Sequence, residues 1–476
     1  MADQAHTGTC DIGVIGLGVM GRNFVLNMAD HDYAVAGYDR EAQQTCSLEK
    51  EKSGRQAVHA VNDIGRFCDL LRLPRAVLLL VPAGAPVDDV IQSLEPHLDP
   101  GDLIIDSGNS HFPDTDRREA ALKEKGLLFM GMGISGGESG ARQGPSLMPG
   151  GPRQGYDRVG AILEAAAAQV DQAPCVAYLG PGSAGHYVKM VHNGIEYGLM
   201  QLISETYDLM KRGLGMAPDE LHAVYDRWNR EELNSYLLEI TAAIFLHKDD
   251  GSEKPLLDVI RDEAQQKGTG EWTGLEALGL QVPTFTIDAA VMMRNMSAFK
   301  QQRLKAAHLL KGPTPRFDGA KEPLIRQIKN ALYAAMIITY AQGLALLAKA
   351  SQTYAYNLNL ETVARIWRGG CIIRAALLEE IRSACTSDPD LENILLDGNL
   401  ARAVVEREAD LRAVVRTGAA WGLPVPGLMM SLSYFDALRS DWLPANLIMA
   451  QRDYFGAHTY ERVDRAGTFH TQWEKT

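Results

Sequence analysis

Through about residue 180, short apolar runs alternate with amphipathic stretches. CDIGVIGLG predicts a strand running into a tight turn, and AVAGYD, AVLLLVP, DLIIDSG and LLFMGMGIS predict four more strands. Strands that alternate with helical segments imply an α/β unit built on a parallel, doubly wound sheet. From Gly185 the pattern changes to long helical periodicity with few β-branched runs, continuing to about Arg439. From Asp441 onward Pro, aromatic and charged residues mix, and an irregular tail is expected. The division is therefore 1–183 for the α/β domain, 184–440 for an all-helical domain and 441–476 for the tail.

The helical part contains an internal repeat. MVHNGIEYGLMQLISE (Met190–Glu205) overlays QIKNALYAAMIITYAQ (Gln327–Gln342), matching Asn193 with Asn330. The surroundings of Trp228 and Trp367 match at nearly the same offset, which points to a duplicated helical unit. Within the first copy, KMVHNGIEY places Lys189, His192, Asn193 and Glu196 at i, i+3, i+4 and i+7, on one helix face. The second copy has Arg326 and Tyr333 where the first has Lys189 and Glu196. A face kept for architecture alone has less reason to differ between copies, so the first is read as functional.

Length and composition narrow the class. At 476 residues, two or three domains are expected. An apolar fraction of 46% with 22% charged residues is that of a globular protein. The balance of 47 basic and 60 acidic side chains argues against a general nucleic-acid or anionic-membrane binder. Six scattered cysteines without metal-type spacing fit reduced structural thiols in a cytoplasmic protein. The N-terminus shows no signal-peptide pattern. The most apolar run, Ala331–Ala348, carries Tyr333, Thr339, Tyr340 and Gln342 and is read as a buried core helix.

The motif GLGVMG supplies Gly16, Gly18 and Gly21 between a predicted strand and a predicted helix, the context of a Rossmann-type dinucleotide site. Gly16 allows the turn, Gly18 the approach of a pyrophosphate and Gly21 the packing of helix on strand. The helix N-terminus offers N–H donors to the phosphates. About 20 residues on, the second strand ends at Asp39-Arg40-Glu41. Two carboxylates there repel a 2′-phosphate, while Arg40 attracts one. On charge NAD is favoured, with NADP the alternative.

Over nearly its whole length the chain resembles the decarboxylating 6-phosphogluconate dehydrogenases of the β-hydroxyacid dehydrogenase superfamily. GLGVMGRN, SGNS, GISGGESGAR, KMVHNGIEY, QKGTGEWT and QRDYFGAHTYER occur in the family's order. The resemblance implies Lys189 as general base and Glu196 as general acid. It places Asn109, Ser135, Gly136, Gly137, His192, Asn193, Tyr197, Lys267, Thr269, Arg294, Arg452 and His458 at the substrate. It places Gly16, Gly18, Val19, Met20, Gly21, Asp39, Arg40, Val81, Ala83 and Asn109 at the cofactor, with no metal. It also implies a homodimer in which each tail, with Arg452 and His458, enters the partner's active site. The implied reaction is oxidative decarboxylation of 6-phospho-D-gluconate to D-ribulose 5-phosphate and CO2 in the pentose phosphate pathway.

Several positions depart from the family pattern. Asp39 and Glu41 replace the Asn and Thr of NADP-linked relatives, and Gln44 stands near an expected lysine. Pro82 occupies the lysine position of VKAG, Ser107 the first Gly of GGNS, and Glu271 the lysine of TGKW. The first three changes strengthen the preference for NAD. Two other functions would leave different marks on the chain. A different β-hydroxyacid dehydrogenase would lack the duplicated half and the RDYFGAH tail. A catalytically silent nucleotide-binding scaffold would have lost the Lys–Glu pair or the phosphate cations, and all are present.

Overall fold

A computed structural model describes residues 8–55 and 57–473. Its sheet strands are β1 (Ile12–Ile15), β2 (Val35–Tyr38), β3 (Val58–Val61), β4 (Ala76–Leu79), β5 (Leu103–Asp106), β6 (Leu128–Ser135) and β7 (Ser146–Gly150). They are ordered β3-β2-β1-β4-β5-β6-β7. All neighbours are parallel except β6 and β7. The order reverses between β1 and β4, and a crevice for a dinucleotide opens at the carboxyl ends of strands at such a point. Helices α1 (Val19–Asp30), α2 (Ala42–Glu51), α3 (Ile64–Asp69), α4 (Ala85–Leu94), α5 (Phe112–Lys123), α6 (Gly137–Gln143) and α7 (Arg153–Ala166) belong to this part. Two apolar clusters, one around Phe24, Met28 and Met130 and one around Phe67, Leu94 and Phe129, contain residues from alternate positions of the same strands. That is the pattern of a sheet covered on both faces.

The five strands expected from hydrophobic runs are β1, β2, β4, β5 and β6. β3 and β7 were not expected. β3 is four residues long with a half-buried centre, and β7 (SLMPG) is framed by Pro and Gly that read as turn signals. Pro149 is tolerated because β7 is the last strand of the sheet.

After a small hairpin, β8 (Gln169–Val170) and β9 (Ala173–Pro174), the chain is helical. Helices α8 (Ala184–Asp208), α9 (Pro218–Asn229), α10 (Tyr236–Ile244), α11 (Thr269–Gly279), α12 (Phe285–Ala298) and α13 (Lys300–Leu309) form the first copy. α14 (Lys321–Thr353), α15 (Leu360–Trp367), α16 (Leu377–Ser387), α17 (Gly398–Val405), α18 (Glu408–Trp421) and α19 (Pro426–Leu438) form the second. The repeat is visible in space. α8 and α14 pack side by side, with Gly198 against Thr339 and Gly343 against Ile195. Trp228 and Trp367, near or at the ends of α9 and α15, are both fully buried. α14 is the one described helix long and apolar enough to cross a membrane, and 89% of its most apolar window is buried inside the protein.

The first compact unit runs to Ser431 and holds both the sheet and the helices. It is continuous because α8 lies directly on β6 and β7. A Cβ on Gly150 would fall 2.2 Å from the amide of Gly185, and one on Gly133 would fall 2.3 Å from Lys189 Cβ.

The second unit, Leu432–Thr476, is more regular than the irregular tail expected. It forms α20 (Ala445–Gly456) and a hairpin of β10 (Tyr460–Glu461) with β11 (Thr468–Phe469). Fully buried Asp453 ties the two together, accepting from Thr459 N, Thr471 N, His470 Nδ1 and Trp473 Nε1. Burial alone would raise its pKa, but these bonds hold it well below the usual carboxylate range. The helix was hidden because ANLIMAQRDYFG lacks an amphipathic period and sits among Pro and aromatic residues.

Candidate active site

The glycine turn after β1 has the geometry that the motif requires. Gly16 adopts φ +95°, and a Cβ on Gly21 would lie 1.8 Å from the carbonyl oxygen of Gly16. Only a glycine at each place lets α1 start this close to β1. At Gly18 an added Cβ would meet nothing within 4 Å, so the approach to the helix N-terminus is open, with Val19 exposed and Met20 half-buried. Asp39 is fixed at the rim of this turn. Its Oδ2 accepts from Leu17 N at 2.8 Å and its Oδ1 from Glu41 N at 2.9 Å. Arg40 is exposed. Gln44 is engaged by Arg22, whose Nη1 donates to it at 2.7 Å and to Leu17 O at 2.9 Å.

Val81 and Ala83 follow β4, and Asn109 follows β5, on the same edge of the sheet. The Asn109 loop curls around buried Asp106, which accepts from Gly108 N and Ser110 Oγ. Arg118 pairs with Asp106 and also donates to Gly84 O, so one guanidinium fastens both loops. Asn109 itself is exposed.

The helix face read from KMVHNGIEY is buried. Lys189 is 6% exposed, His192 0% and Asn193 9%, while the Glu196 side chain is 21% exposed. The face meets the end of β6 on one side and the start of α11 on the other. Gly133 leaves room for the Lys189 stem, and Gly194 and Gly270 admit Thr273 and the Tyr197 ring.

A hydrogen-bond chain crosses this face. Ile372 N donates to Ser135 Oγ at 3.3 Å, and Ser135 Oγ lies 3.2 Å from His192 Nε2. His192 Nδ1 lies 3.0 Å from Asn193 Oδ1, and Asn193 Nδ2 donates to Thr269 Oγ1 at 3.3 Å. Because the Asn193 oxygen only accepts, the imidazole donates from Nδ1 and accepts a hydrogen bond from the Ser135 hydroxyl at Nε2. Burial, aided by nearby Lys189, pushes the His192 pKa well below its ordinary value, so the ring is neutral.

Lys189 makes no hydrogen bond or ion pair among the described residues. Burial lowers its pKa, with Glu196 and Cys371 opposing. Burial raises the pKa of Glu196, against the attraction of Lys189 and Arg294. The pKa values of amine and carboxyl are thus displaced toward one another, an arrangement in which an amine can accept and a carboxyl can donate a proton.

Arg294 on α12 lays its guanidinium 3.5 Å from the centroid of the Tyr197 ring and donates to Gln265 O, next to the exposed Lys267. Burial lowers its pKa, with Tyr197 and Glu196 opposing. Gly136 (φ +128°) and Gly137 (φ +63°) continue from Ser135 into α6, where side chains are strained. Arg452 and His458 belong to the second unit, on α20 and just beyond it, and both are exposed.

Sequence reasoning missed one wall of this site. The segment Trp367–Ile372 comes from the second helical copy, yet it lies against the first copy's face. Trp367 meets His192 edge-on at 5.6 Å, Ile372 N reaches Ser135, and a Cβ on Gly136 would lie 2.5 Å from Gly370 O. The only sequence signal is the GG pair at Gly369-Gly370, which names no partner.

Two family models match in series. One is the NAD binding domain of 6-phosphogluconate dehydrogenase, over residues 11–180; the other is the C-terminal domain of 6-phosphogluconate dehydrogenase, over 185–473. The chain belongs to the 6-phosphogluconate dehydrogenase family. It is 51% identical to the decarboxylating 6-phosphogluconate dehydrogenase of Synechococcus elongatus, over 97% of this chain and 98% of that protein. It is 50% identical to the NADP(+)-dependent, decarboxylating enzyme of Bacillus subtilis, over 98% and 99%. The solved structure of the Plasmodium falciparum enzyme, described apo, with NADP+ and with 6-phosphogluconate, matches with a TM-score of 0.94 at 44% identity. That match covers 98% of this chain and 100% of the other.

Proposed function

We propose that the chain oxidatively decarboxylates 6-phospho-D-gluconate to D-ribulose 5-phosphate and CO2 while reducing a nicotinamide cofactor, with NAD preferred to NADP. The observation that carries the reading is the buried Lys189, unpaired and of lowered pKa, two turns from Glu196 of raised pKa. The open helix N-terminus at Gly18 and the fixed Asp39 carboxylate fit a dinucleotide whose adenosine ribose keeps a free 2′-hydroxyl. When bound, the dinucleotide supplies the hydride acceptor for C3 of the substrate.

Neutral Lys189 takes the C3 hydroxyl proton as the carbonyl forms. The resulting ammonium then polarises that carbonyl while the C1–C2 bond breaks and CO2 leaves, the electrons passing to an enediol. Glu196 delivers its proton to C1 of the enediol. Ser135, with Gly136 and Gly137, supplies donors to the carboxylate end. Lys267, Thr269, Arg294 and Tyr197 receive the phosphate, a dianion that is costly to desolvate unless paired. Arg452 and His458 complete the site from the partner subunit of a homodimer.

The test is the initial rate of cofactor reduction with 6-phosphogluconate, titrating NAD+ and NADP+ separately and measuring released CO2. Reduction with one CO2 per turnover and a higher kcat/KM for NAD+ is expected. A higher value for NADP+ would show that Arg40 outweighs Asp39 and Glu41. No turnover with either would reject the substrate.

A further inference from the structure

Two residues beyond Asn109, the imidazole of His111 stacks on the indole of Trp272, with ring centroids 4.5 Å apart and planes 20° from parallel. Trp272 is in the first turn of α11, three residues after Thr269 and five after Lys267. The loop carrying Asn109 and the loop carrying Lys267 are therefore joined by one ring contact.

The contact is backed on both sides. Behind His111, Phe112 packs edge-on against Tyr187 at 5.0 Å, and Tyr187 is two residues from Lys189 on α8. One turn after Trp272, Glu276 Oε1 accepts from Tyr354 at 2.6 Å and Tyr187 at 3.4 Å. α11 is thus held at positions 272 and 276, an i, i+4 pair on one face. The loop before it is tied to α12 at residues 264–266, by Ala264 N to Ser297 Oγ, Gln266 Nε2 to Asn295 Oδ1 and Arg294 Nη1 to Gln265 O, which leaves Lys267 and Gly268 for the stack to fix. Lys267 is exposed and without an ion pair among the described residues, and a Cβ on Gly268 would lie 3.0 Å from the Trp272 ring. Burial lowers the His111 pKa, against Asp114 on its own helix and Glu276 on α11, so a neutral ring faces the indole.

We propose that the His111–Trp272 stack is a positioning latch. It sets the Lys267–Thr269 loop against the Asn109 loop, so that the phosphate end and the reacting end of the sugar acid are gripped by one aromatic block. The inference rests on the substrate reading above for what the loops hold, but the latch itself is testable without substrate.

The variants are His111→Ala, which removes the stack, and His111→Phe, which keeps a flat ring. In ligand-free protein, hydrogen exchange at the amides of residues 267–273 is expected to accelerate about tenfold in His111→Ala and to stay near wild type in His111→Phe. With substrate, the KM for 6-phosphogluconate should rise about tenfold in His111→Ala while kcat falls less than about threefold, the split expected when binding common to ground and transition state is lost. His111→Phe should recover both. Unchanged exchange in His111→Ala overturns the latch whatever the enzyme's substrate. So does a His111→Phe as impaired as His111→Ala, which would assign the role to the imidazole nitrogens. Accelerated exchange in His111→Ala, together with a wild-type protein that does not turn over 6-phosphogluconate, would instead keep the latch and reject the substrate reading.

Discussion

Replacing Gly133 by alanine adds one methyl group beside the proposed base. Gly133 lies within β6 and is not among the residues of positive φ, so alanine meets no backbone strain. The cost is purely one of contact. The new Cβ would sit 2.3 Å from Lys189 Cβ, 2.6 Å from its Cγ and 3.2 Å from its Cδ. Reaching an ordinary contact of 3.4 Å requires the lysine stem or the strand to move by about 1.1 Å. The backbone of α8 cannot retreat cheaply, because its other side is seated against α14, where a Cβ on Gly343 would fall 2.5 Å from Ile195. Overpacking of this kind costs about 1–3 kcal/mol of stability. A displacement of about 1 Å at a reacting group costs on the order of 10²-fold in rate. Gly133→Ala should therefore lower kcat about 100-fold while the protein stays folded, with the KM for the dinucleotide nearly unchanged. Steady-state kinetics alongside a thermal melt separate the two effects. A kcat within threefold of wild type in a folded Gly133→Ala protein would refute the claim that the lysine stem is pinned by this strand.

Other consequences follow from the same geometry. Lys189→Met should abolish both cofactor reduction and CO2 release, whereas a Glu196→Gln enzyme that still protonates the enediol at the wild-type rate would remove Glu196 from the mechanism. The two pKa directions fix the limbs of the pH profile. Rate falls on the acid side as Lys189, lowered by burial, becomes protonated, and on the alkaline side as Glu196, raised by burial, ionises. In the Glu196→Gln protein the alkaline limb should move or vanish. The triple change Asp39→Asn, Glu41→Thr and Gln44→Lys should raise the NADP+ to NAD+ ratio of kcat/KM by about 10- to 100-fold; an unmoved ratio would deny these positions any role in choosing the cofactor. Finally, mixing Lys189→Met and Arg452→Ala proteins through denaturation and refolding should restore about a quarter of wild-type activity, since half the dimers are mixed and each has one intact site. Absence of recovery would separate the second unit from the partner's site.

Much of this architecture could be read from the chain before any coordinates. The alternation of apolar runs gave the sheet, because strands buried on both faces are uninterrupted hydrophobic stretches bounded by turns. The i, i+3, i+4, i+7 spacing in KMVHNGIEY put four polar residues on one face, and α8 does so. What the spacing could not tell is that this face would be buried, which depends on glycines in β6, β7 and α11 clearing the space. A glycine in a strand advertises an approach without naming the partner. The Trp367–Ile372 wall was illegible for a stronger reason. Its residues are apolar or small, and it lies between 175 (Trp367 to His192) and 237 (Ile372 to Ser135) residues away in sequence from the groups it touches. The helix in the last segment was hidden because its order comes from one buried carboxylate, Asp453, whose four donors are set by the hairpin's return.

The fate of the two helical copies shows how one becomes a site and the other a support. In the second copy the face equivalent to Lys189–Glu196 is filled by its own surroundings. Asn330, the counterpart of Asn193, donates to Asp410 at 2.6 Å, Lys329 pairs with Glu231 and Glu232, and Arg407 lies 4.9 Å above Tyr333. Arg326, the counterpart of Lys189, is exposed to solvent, and Lys329 and Asn330 there have internal partners. In the first copy the corresponding face keeps a lysine with none, which is costly to bury unless the group is needed neutral. The segment that follows α15 then crosses from the saturated copy to the unsaturated one, placing Trp367 on His192 and the Ile372 amide on Ser135. That crossing supplies rigidity without supplying charge. An ionic support beside Lys189 would have fixed its protonation state, whereas an indole edge, a thiol and a backbone N–H leave the amine free to titrate.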